Sequence, residues 1–216
     1  MIKAIIFDMD GLLVDSERVN YEVNKRMFRK FGVDISKEEF IKEWIIKGTG
    51  SEEAIKRHKM KISYKKFKSI KKDLQIQLIR KKLKTKPYAK ETLKRLKKNY
   101  QLVLATHGHK HNVHEALKKF RLTNYFNVIL TRDDVKRRKP HPDIFLTAAK
   151  KLKVKPNECV VIEDSERGIK TAKNAGMKCI VVPDKFSKKY NDFSRAYLVV
   201  DSLNKINTRI IEGLND

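Results

Sequence analysis

Short runs of apolar residues alternate along the chain with longer amphipathic stretches. The apolar runs predict strands over residues 2–7, 101–105, 128–131, 160–162, 180–182 and, more weakly, 198–200. Helical periodicity between these runs predicts helices over residues 90–98, 110–120, 142–152, 166–175 and 203–214. Because the strand candidates are apolar almost throughout, they favour a parallel sheet that helices cover on both faces.

One interval interrupts this alternation. After the first strand the chain has a helical pattern and no convincing strand, and helices are predicted over residues 17–31, 37–46, 52–59 and 64–84. We therefore expect an α/β core formed by residues 1–14 and 87–216, with an all-helical cap domain inserted as residues 15–86. The joints between the two would lie near residues 12–15 and 85–87, where two stretches of chain could hinge together.

Composition narrows the class of protein. The chain has 216 residues, of which 40% are hydrophobic, with 8 Gly and 5 Pro, which argues against collagen-like, low-complexity and disordered chains. No apolar run approaches the length of a membrane span, and carboxylates follow too soon after the N-terminus for a secretory signal. We expect a soluble, cytoplasmic protein without a membrane partner. Both cysteines, Cys159 and Cys179, fall in apolar runs and are predicted to be buried free thiols.

The charge balance is unusual, because 51 Lys and Arg residues against 26 Asp and Glu residues give a net charge of +25. Such an excess attracts polyanions, and the densest basic stretch spans residues 59–98. Lysine dominates over arginine, however, whereas nucleic-acid recognition uses arginine for bidentate contacts. We therefore expect no nucleic-acid partner, and keep a polyanion-binding protein as the alternative from a different functional class.

Polar residues follow several predicted strands. The first strand ends in Asp8-Met9-Asp10-Gly11, the second in Thr106, and the fourth in Glu163-Asp164-Ser165, while Lys139-Pro140-His141-Pro142-Asp143 follows the third. The carboxyl ends of parallel strands share one edge of a sheet, so these groups should converge there. Converging carboxylates need a compensating cation, and an all-oxygen ligand set is typical of Mg²⁺.

This constellation predicts phosphoryl transfer. Asp8 is a suitable nucleophile for phosphorus, since the aspartyl phosphate that it forms can be opened by water. Asp10, two residues on, can protonate the leaving oxygen and then accept a proton from the attacking water. Lys139 and Thr106 would hold the other phosphate oxygens.

Three of these segments resemble the motifs of haloacid dehalogenase-like hydrolases. They are Asp8-Met9-Asp10-Gly11-Leu12-Leu13-Val14-Asp15-Ser16-Glu17, Lys139-Pro140-His141-Pro142-Asp143-Ile144-Phe145 and Val161-Ile162-Glu163-Asp164-Ser165-Glu166-Arg167-Gly168-Ile169. With the motif around Thr106, they most resemble the β-phosphoglucomutase-like sugar phosphatases, which carry a helical cap. The resemblance implies a Rossmann-like core and a small phosphorylated metabolite as substrate. We expect the chain to act as a monomer.

The resemblance also implies residue roles. Asp8 would be the nucleophile, Asp10 the general acid and base, and Thr106 and Lys139 the phosphate ligands. Mg²⁺ would be held by Asp8, the backbone carbonyl of Asp10 and Asp164, with Glu163 adjacent.

Several positions depart from the family pattern. His107 follows Thr106 where an Asn or Ser is usual; we expect it near the phosphate. Pro87-Tyr88-Ala89 replaces the usual Pro-Gly, which puts the turn geometry at this joint in question. Asn20 stands where mutase members carry a histidine, which favours a phosphatase over the alternative, a phosphomutase.

Two further groups carry candidate chemistry. Lys47 and Thr49, in a Gly-containing connection of the cap, could reach down and select the leaving group. His107 is the first of four histidines that lie close together in the sequence. We expect the other three to be exposed at the start of a helix, with a transition-metal site as the alternative. They are His109, His111 and His114.

Overall fold

A computed structural model describes residues 1–214 and shows a six-stranded parallel sheet. The strands, in chain order β1 to β6, are Ala4–Phe7, Gln101–Ala105, Val128–Leu130, Cys159–Glu163, Lys178–Val181 and Leu198–Val199. Their spatial order is β3-β2-β1-β4-β5-β6, so that β1 lies centrally, with Ile6 opposite both Val103 and Val161. The α/β prediction is confirmed, and each predicted strand is present with ends shifted by at most two residues.

Helices cover both faces of the sheet because successive side chains of a strand point to opposite faces. Ile5 and Phe7 of β1 join one buried cluster, and Ala4 and Ile6 join the other. The helices that follow the insertion are α5 (Ala89–Leu96), α6 (Lys110–Phe120), α7 (Asp143–Leu152), α8 (Glu166–Asn174) and α9 (Thr208–Glu212). Short 3-10 turns span Thr123–Tyr125, Arg132–Asp134, Pro156–Glu158, Lys188–Tyr190 and Leu203–Lys205.

The helical insertion, residues 15–86, contributes helices and no strand of the sheet. Its helices are α1 (Ser16–Arg29), α2 (Lys37–Phe40), a π-helical turn (Ile41–Ile46), α3 (Ser51–Arg57) and α4 (Tyr64–Lys82). Phe28 of α1 packs edge-on against Phe67 of α4, with ring centroids 5.1 Å apart. This aromatic contact lies in the same continuous cluster as Phe7 of the sheet.

The two stretches predicted as joints pair with each other. Val14 and Thr85 form an antiparallel bridge, which is flanked by hydrogen bonds from the Asp15 amide to the Lys84 carbonyl (2.9 Å) and from the Lys86 amide to the Leu13 carbonyl (2.9 Å). Tyr88, which follows Pro87 in place of the usual glycine, adopts the left-handed conformation with a φ of 62°. The division into a core and a cap domain stays a prediction. The last two residues of the predicted core, 215 and 216, lie outside the described residues.

Two predicted helices are wrong in detail. The segment 37–46 is not one α-helix, because after Phe40 it changes to π-type bonding, with the Lys47 amide donating to the Lys42 carbonyl (3.1 Å). The segment 203–214 is broken, because the Asn207 side chain accepts a hydrogen bond from the Ile210 amide (3.0 Å) and starts α9 afresh. No described helix combines the length and apolarity needed to cross a membrane. Cys159 and Cys179 are buried free thiols, as predicted.

Candidate active site

The turn after β1 brings two acidic side chains to the carboxyl edge of the sheet. Asp8, directly after the central strand, is buried. Gly11 has a φ of +79°, and a Cβ there would lie 2.2 Å from Oδ2 of Asp164. A side chain at position 11 would therefore collide with the acid that follows β4.

Lys139 connects two of the acids. Its ammonium donates to Oδ1 of Asp8 (2.7 Å) and to Oε1 of Glu163 (2.6 Å), and all three side chains are buried. Although burial favours the neutral amine, the charges of Asp8 and Glu163 outweigh it and raise the pKa of Lys139. The lysine is therefore held in its charged form at the bottom of the site.

Glu163 is fixed in place by the start of α8. Its Oε2 accepts hydrogen bonds from the amides of Asp164 (2.9 Å) and Ser165 (3.1 Å) and from the Ser165 hydroxyl (2.9 Å). Ser165 also caps α8 by accepting from the Gly168 amide (3.2 Å). Burial opposes ionisation of Glu163, but Lys139 and these donors lower its pKa below the ordinary value. Glu163 is thus held rigidly between Lys139 and the start of α8.

Asp8, Glu163 and Asp164 form a compact carboxylate group. Each offers an oxygen, and these oxygens all lie within 4.8 Å of one another. Burial, together with the charges of Glu163 and Asp8, raises the pKa of Asp164 well above its ordinary value. Burial likewise raises the pKa of Asp8 to about 7 despite the neighbouring lysine. One ammonium cannot balance three buried carboxylates, so this oxygen-only group fits a divalent cation of the magnesium type.

Asp10 is held by the end of β2. The Thr106 hydroxyl donates to Oδ2 of Asp10 (2.9 Å) and accepts from the Gly108 amide (3.0 Å). Thr106 therefore lies beside the acid from β1, as strand order predicts, and orients its carboxylate. The Asp10 carboxylate is not a member of the compact carboxylate group of the described residues, and a role of its backbone carbonyl as a metal ligand stays a prediction.

His107 lies against the lysine loop. Its Nδ1 accepts from the Lys139 amide (3.1 Å), while its buried Nε2 has no hydrogen-bond partner. Burial and the charges of Lys139 and Arg167 lower the pKa of His107 to about 3, so the ring is neutral. The expectation that the other three histidines are exposed is wrong for two of them: His109 and His111 are half-buried and stack, with centroids 5.5 Å apart, and only His114 is exposed. Within residues 1–214 the histidines form no group with metal-binding geometry.

The sheet edge and the helical insertion enclose one cavity of about 640 Å³. Its lining includes every predicted site residue, Lys47 and Thr49 among them. Lys47 pairs with Oε1 of Glu43 (2.8 Å), and the Thr49 hydroxyl donates to the Glu43 carbonyl (2.7 Å). Both side chains are thus engaged within the helical insertion, and their role in substrate selection stays a prediction.

Three cavity residues were not singled out from the sequence. Glu17 lies in the first turn of α1, Arg167 in the first turn of α8, and Lys71 on α4. Burial and the charges of Asp10 and Asp184 raise the pKa of Glu17 to about 8. The sequence does indicate that Lys71 is unusual. Lys71 and Gln75 are polar, yet they lie on the helix face that also carries the buried Phe67 and Leu78.

The chain is similar in sequence and in structure to proteins of known families. The sequence model of the haloacid dehalogenase-like hydrolases matches residues 5–182. A phosphorylated carbohydrates phosphatase of Thermotoga maritima is 32% identical over 184 residues, covering 83% of this chain and 84% of that protein. Hexitol phosphatase B of Escherichia coli K12 is 28% identical over 229 residues, covering 98% and 97%. The crystal structure of CbbY from Rhodobacter sphaeroides in complex with phosphate superposes with a TM-score of 0.83 at 28% identity, covering 95% of this chain and 96% of that one.

Proposed function

Because the chain belongs to the haloacid dehalogenase-like hydrolases, we propose that it is a Mg²⁺-dependent phosphatase that hydrolyses a small phosphate monoester through an aspartyl phosphate at Asp8. Phosphoric monoester hydrolysis follows from the family and from the phosphatases among its relatives. One observation carries the rest of the proposal: Lys139 lies between Asp8 and Glu163, 2.7 Å and 2.6 Å away, beside a third buried acid.

Asp8, Asp164 and the backbone carbonyl of Asp10 would hold the metal ion. When bound, Mg²⁺ supplies the positive charge that keeps the buried carboxylates ionised and attracts the oxygens of a phosphate dianion. Lys139 adds a second positive charge beside Asp8, and its raised pKa keeps that charge over the whole neutral range. A dianionic substrate can therefore approach a carboxylate that would otherwise repel it.

Two displacements at phosphorus complete the reaction. In the first, an oxygen of Asp8 bonds to phosphorus while the bond to the leaving oxygen breaks, and Asp10 donates a proton to that oxygen. In the second, Asp10 takes a proton from a water molecule that attacks the same phosphorus, and the bond to Asp8 breaks with release of phosphate. The Thr106 hydroxyl, 2.9 Å from Oδ2 of Asp10, holds the acid in position for both steps.

The helical insertion supports hydrolysis over phosphoryl return to the substrate. Asn20, at the position where mutases carry a histidine, lines the cavity and accepts a hydrogen bond from Nε2 of Gln75 (2.7 Å). An amide cannot exchange protons with a leaving group. We infer that the substrate is a sugar phosphate or a related metabolite phosphate, which matches the cavity volume and the two phosphatase relatives.

The variant Asp8→Asn tests the proposal. We expect it to lower turnover of p-nitrophenyl phosphate in Mg²⁺ by on the order of a thousandfold or more, because the amide is not a nucleophile. Circular dichroism and thermal unfolding should show a folded protein. Retained activity in this variant would exclude Asp8 as the nucleophile, and full activity of the wild type in EDTA would exclude the metal.

A second assay separates hydrolase from mutase. β-Glucose 1-phosphate, supplied with a bisphosphate activator, should yield free phosphate and no glucose 6-phosphate. Accumulation of the 6-phosphate would instead identify a phosphomutase.

A further inference from the structure

One lysine in the cavity wall, Lys71, has no acidic partner among residues 1–214. Lys71, on the inner face of α4, donates from Nζ to Oδ1 of Asn24 (2.7 Å) and to Oγ of Ser51 (2.8 Å). Both acceptors are neutral, and the ammonium of a lysine has three protons to donate. Two hydrogen bonds therefore hold the ammonium in place without compensating its charge.

Several basic residues of the helical insertion have acidic partners, and the other lysines of α4 that line the cavity, Lys65, Lys68 and Lys72, are exposed. Lys47 pairs with Glu43, Arg57 with Glu39 and Lys82 with Glu22. For Lys71, burial lowers the pKa to about 8, and no carboxylate of the described chain offsets that effect. A charge held in this way costs free energy unless an anion joins it, and the cavity is the side from which an anion can come.

Several other residues of the cavity lining carry buried polar atoms that have no hydrogen-bond partner among the described residues. The buried Nε1 of Trp44 and the buried Nε of Arg167 both lack a hydrogen-bond partner. The Trp44 indole stacks on Phe40 (centroids 5.6 Å apart) and meets Phe28 edge-on (5.8 Å), so its orientation is fixed by packing.

We propose that Lys71 binds a second anionic group on the leaving portion of the substrate, so that the preferred substrate is a phosphorylated sugar acid or a sugar bisphosphate. This inference rests on the proposed phosphatase function. The compact carboxylate group and Lys139 receive the phosphate that is hydrolysed, and Lys71, carried by the helical insertion, receives the other anion. A carboxylate and a second phosphate share the chemistry that an ammonium recognises, and the test has an arm for each.

Matched substrate pairs provide the test. In each pair the two compounds differ only in whether one end is neutral or anionic. The carboxylate arm compares sorbitol 6-phosphate with 6-phosphogluconate, and shorter phosphorylated alcohols with the corresponding acids. The phosphate arm compares fructose 6-phosphate with fructose 1,6-bisphosphate. The measured quantity is the ratio of kcat/KM for the anionic compound to that for the neutral one. We expect a ratio well above one for the wild type in at least one arm.

Lys71→Met removes the charge and keeps the length of the side chain. We expect the ratio to fall by roughly 10- to 100-fold, the effect of one charge-assisted hydrogen bond. Lys81→Met is the matched control, because Lys81 lies on the same helix but is exposed and does not line the cavity. The control should keep the wild-type ratio.

The outcomes separate this inference from the proposed function. A wild type that hydrolyses neutral and anionic compounds equally well, or a Lys71→Met variant that keeps the wild-type ratio, would overturn the role of Lys71 while leaving the phosphatase intact. A preference for neutral polyol phosphates would assign Lys71 to hydroxyl recognition instead. A wild type that hydrolyses no phosphate monoester would overturn the proposed function itself.

Discussion

Asp164 faces the like charges of Glu163 and Asp8, whereas Lys139 pairs with those two acids and not with Asp164. Replacing Asp164 by Asn removes that repulsion and one of the proposed metal ligands. Without Mg²⁺ we expect Asp164→Asn to raise the free energy of unfolding, because the amide is neutral and is not repelled by Glu163 and Asp8. At saturating Mg²⁺ we expect the wild type to be the more stable of the two proteins. Only the wild type gains the free energy of Mg²⁺ binding, about 2.7 kcal/mol at 100 times Kd.

Thermal and urea unfolding with and without Mg²⁺ measure this difference. An equal Mg²⁺ effect on the wild type and on Asp164→Asn would show that Asp164 does not hold the ion. A loss of stability in the Mg²⁺-free variant would show that the acid is compensated in some other way.

Glu17 predicts a pH dependence of stability. Its pKa is about 8 in the native protein, raised by burial and by Asp10 and Asp184, against an ordinary value of 4.5. Between these values the native state binds more protons than the unfolded state, so the contribution of Glu17 to stability falls as the pH rises. We expect Glu17→Gln to reduce this fall over the range from about 5 to about 8.

Other buried acids with raised pKa values also make the free energy of unfolding fall as the pH rises. The informative quantity is therefore the difference in this fall between the wild type and the variant. The exposed Glu91 provides the control, and Glu91→Gln should follow the wild-type pH profile of urea unfolding. Identical profiles for wild type and Glu17→Gln would contradict the raised pKa.

Residues that follow strands were more predictable than residues of the helical insertion, where Lys47 and Thr49 were predicted to reach the site but Lys71 was not. Asp8, Asp10, Lys139 and Asp164 could be brought together from the sequence because parallel strands end at one edge of a sheet. Lys71 approaches the same cavity only through the packing of α4 on α1, which depends on long-range contacts such as Phe28 with Phe67. Periodicity indicates a buried helix face but not the neighbour that the face meets.

At the scale of elements, the start of α8 connects helix packing to the site. A Cβ at Gly168 would lie 1.8 Å from Cδ of Glu163, so Gly168→Ala must displace that carboxylate from Lys139. Because displacements of about 1 Å in a site can cost 100-fold in rate, we expect kcat to fall by roughly 10- to 100-fold. Steady-state kinetics with p-nitrophenyl phosphate measure the effect.

Gly213→Ala is the matched control for this substitution. A Cβ there would have its nearest neighbour, the Arg209 carbonyl oxygen, 3.5 Å away, which is ordinary contact. The control should retain wild-type kcat and stability. If Gly168→Ala also kept wild-type kcat, Glu163 would not need its position between Lys139 and α8.

The elements themselves were largely predictable because local pattern determines them. Helix α6 was predicted with its observed ends, Lys110 and Phe120. Prediction failed where a side chain competes with the helix backbone, as at Asn207, and where the hydrogen bonding changes type after Phe40. Both departures keep the apolar periodicity, so an apolar pattern alone cannot reveal them.

At the scale of the whole molecule, the sheet edge and the helical insertion together enclose the cavity that contains the candidate active site. The sheet edge supplies the carboxylates and Lys139, and the helical insertion supplies Lys71 and Trp44 to the same cavity of about 640 Å³. The joints that connect them run side by side, with Val14 bridged to Thr85. The net charge of +25 makes the approach of phosphorylated compounds favourable, as it would for any anion.

Trapping the aspartyl phosphate tests the central claim most directly. Wild-type enzyme, quenched in acid during turnover of p-nitrophenyl phosphate in Mg²⁺, is treated with hydroxylamine, which converts an acyl phosphate to a hydroxamate, and the modified peptide is identified by mass spectrometry. We predict a hydroxamate at Asp8 that depends on substrate and is missing from Asp8→Asn. Hydroxamate formation at another carboxylate, or at none during active turnover, would contradict the account.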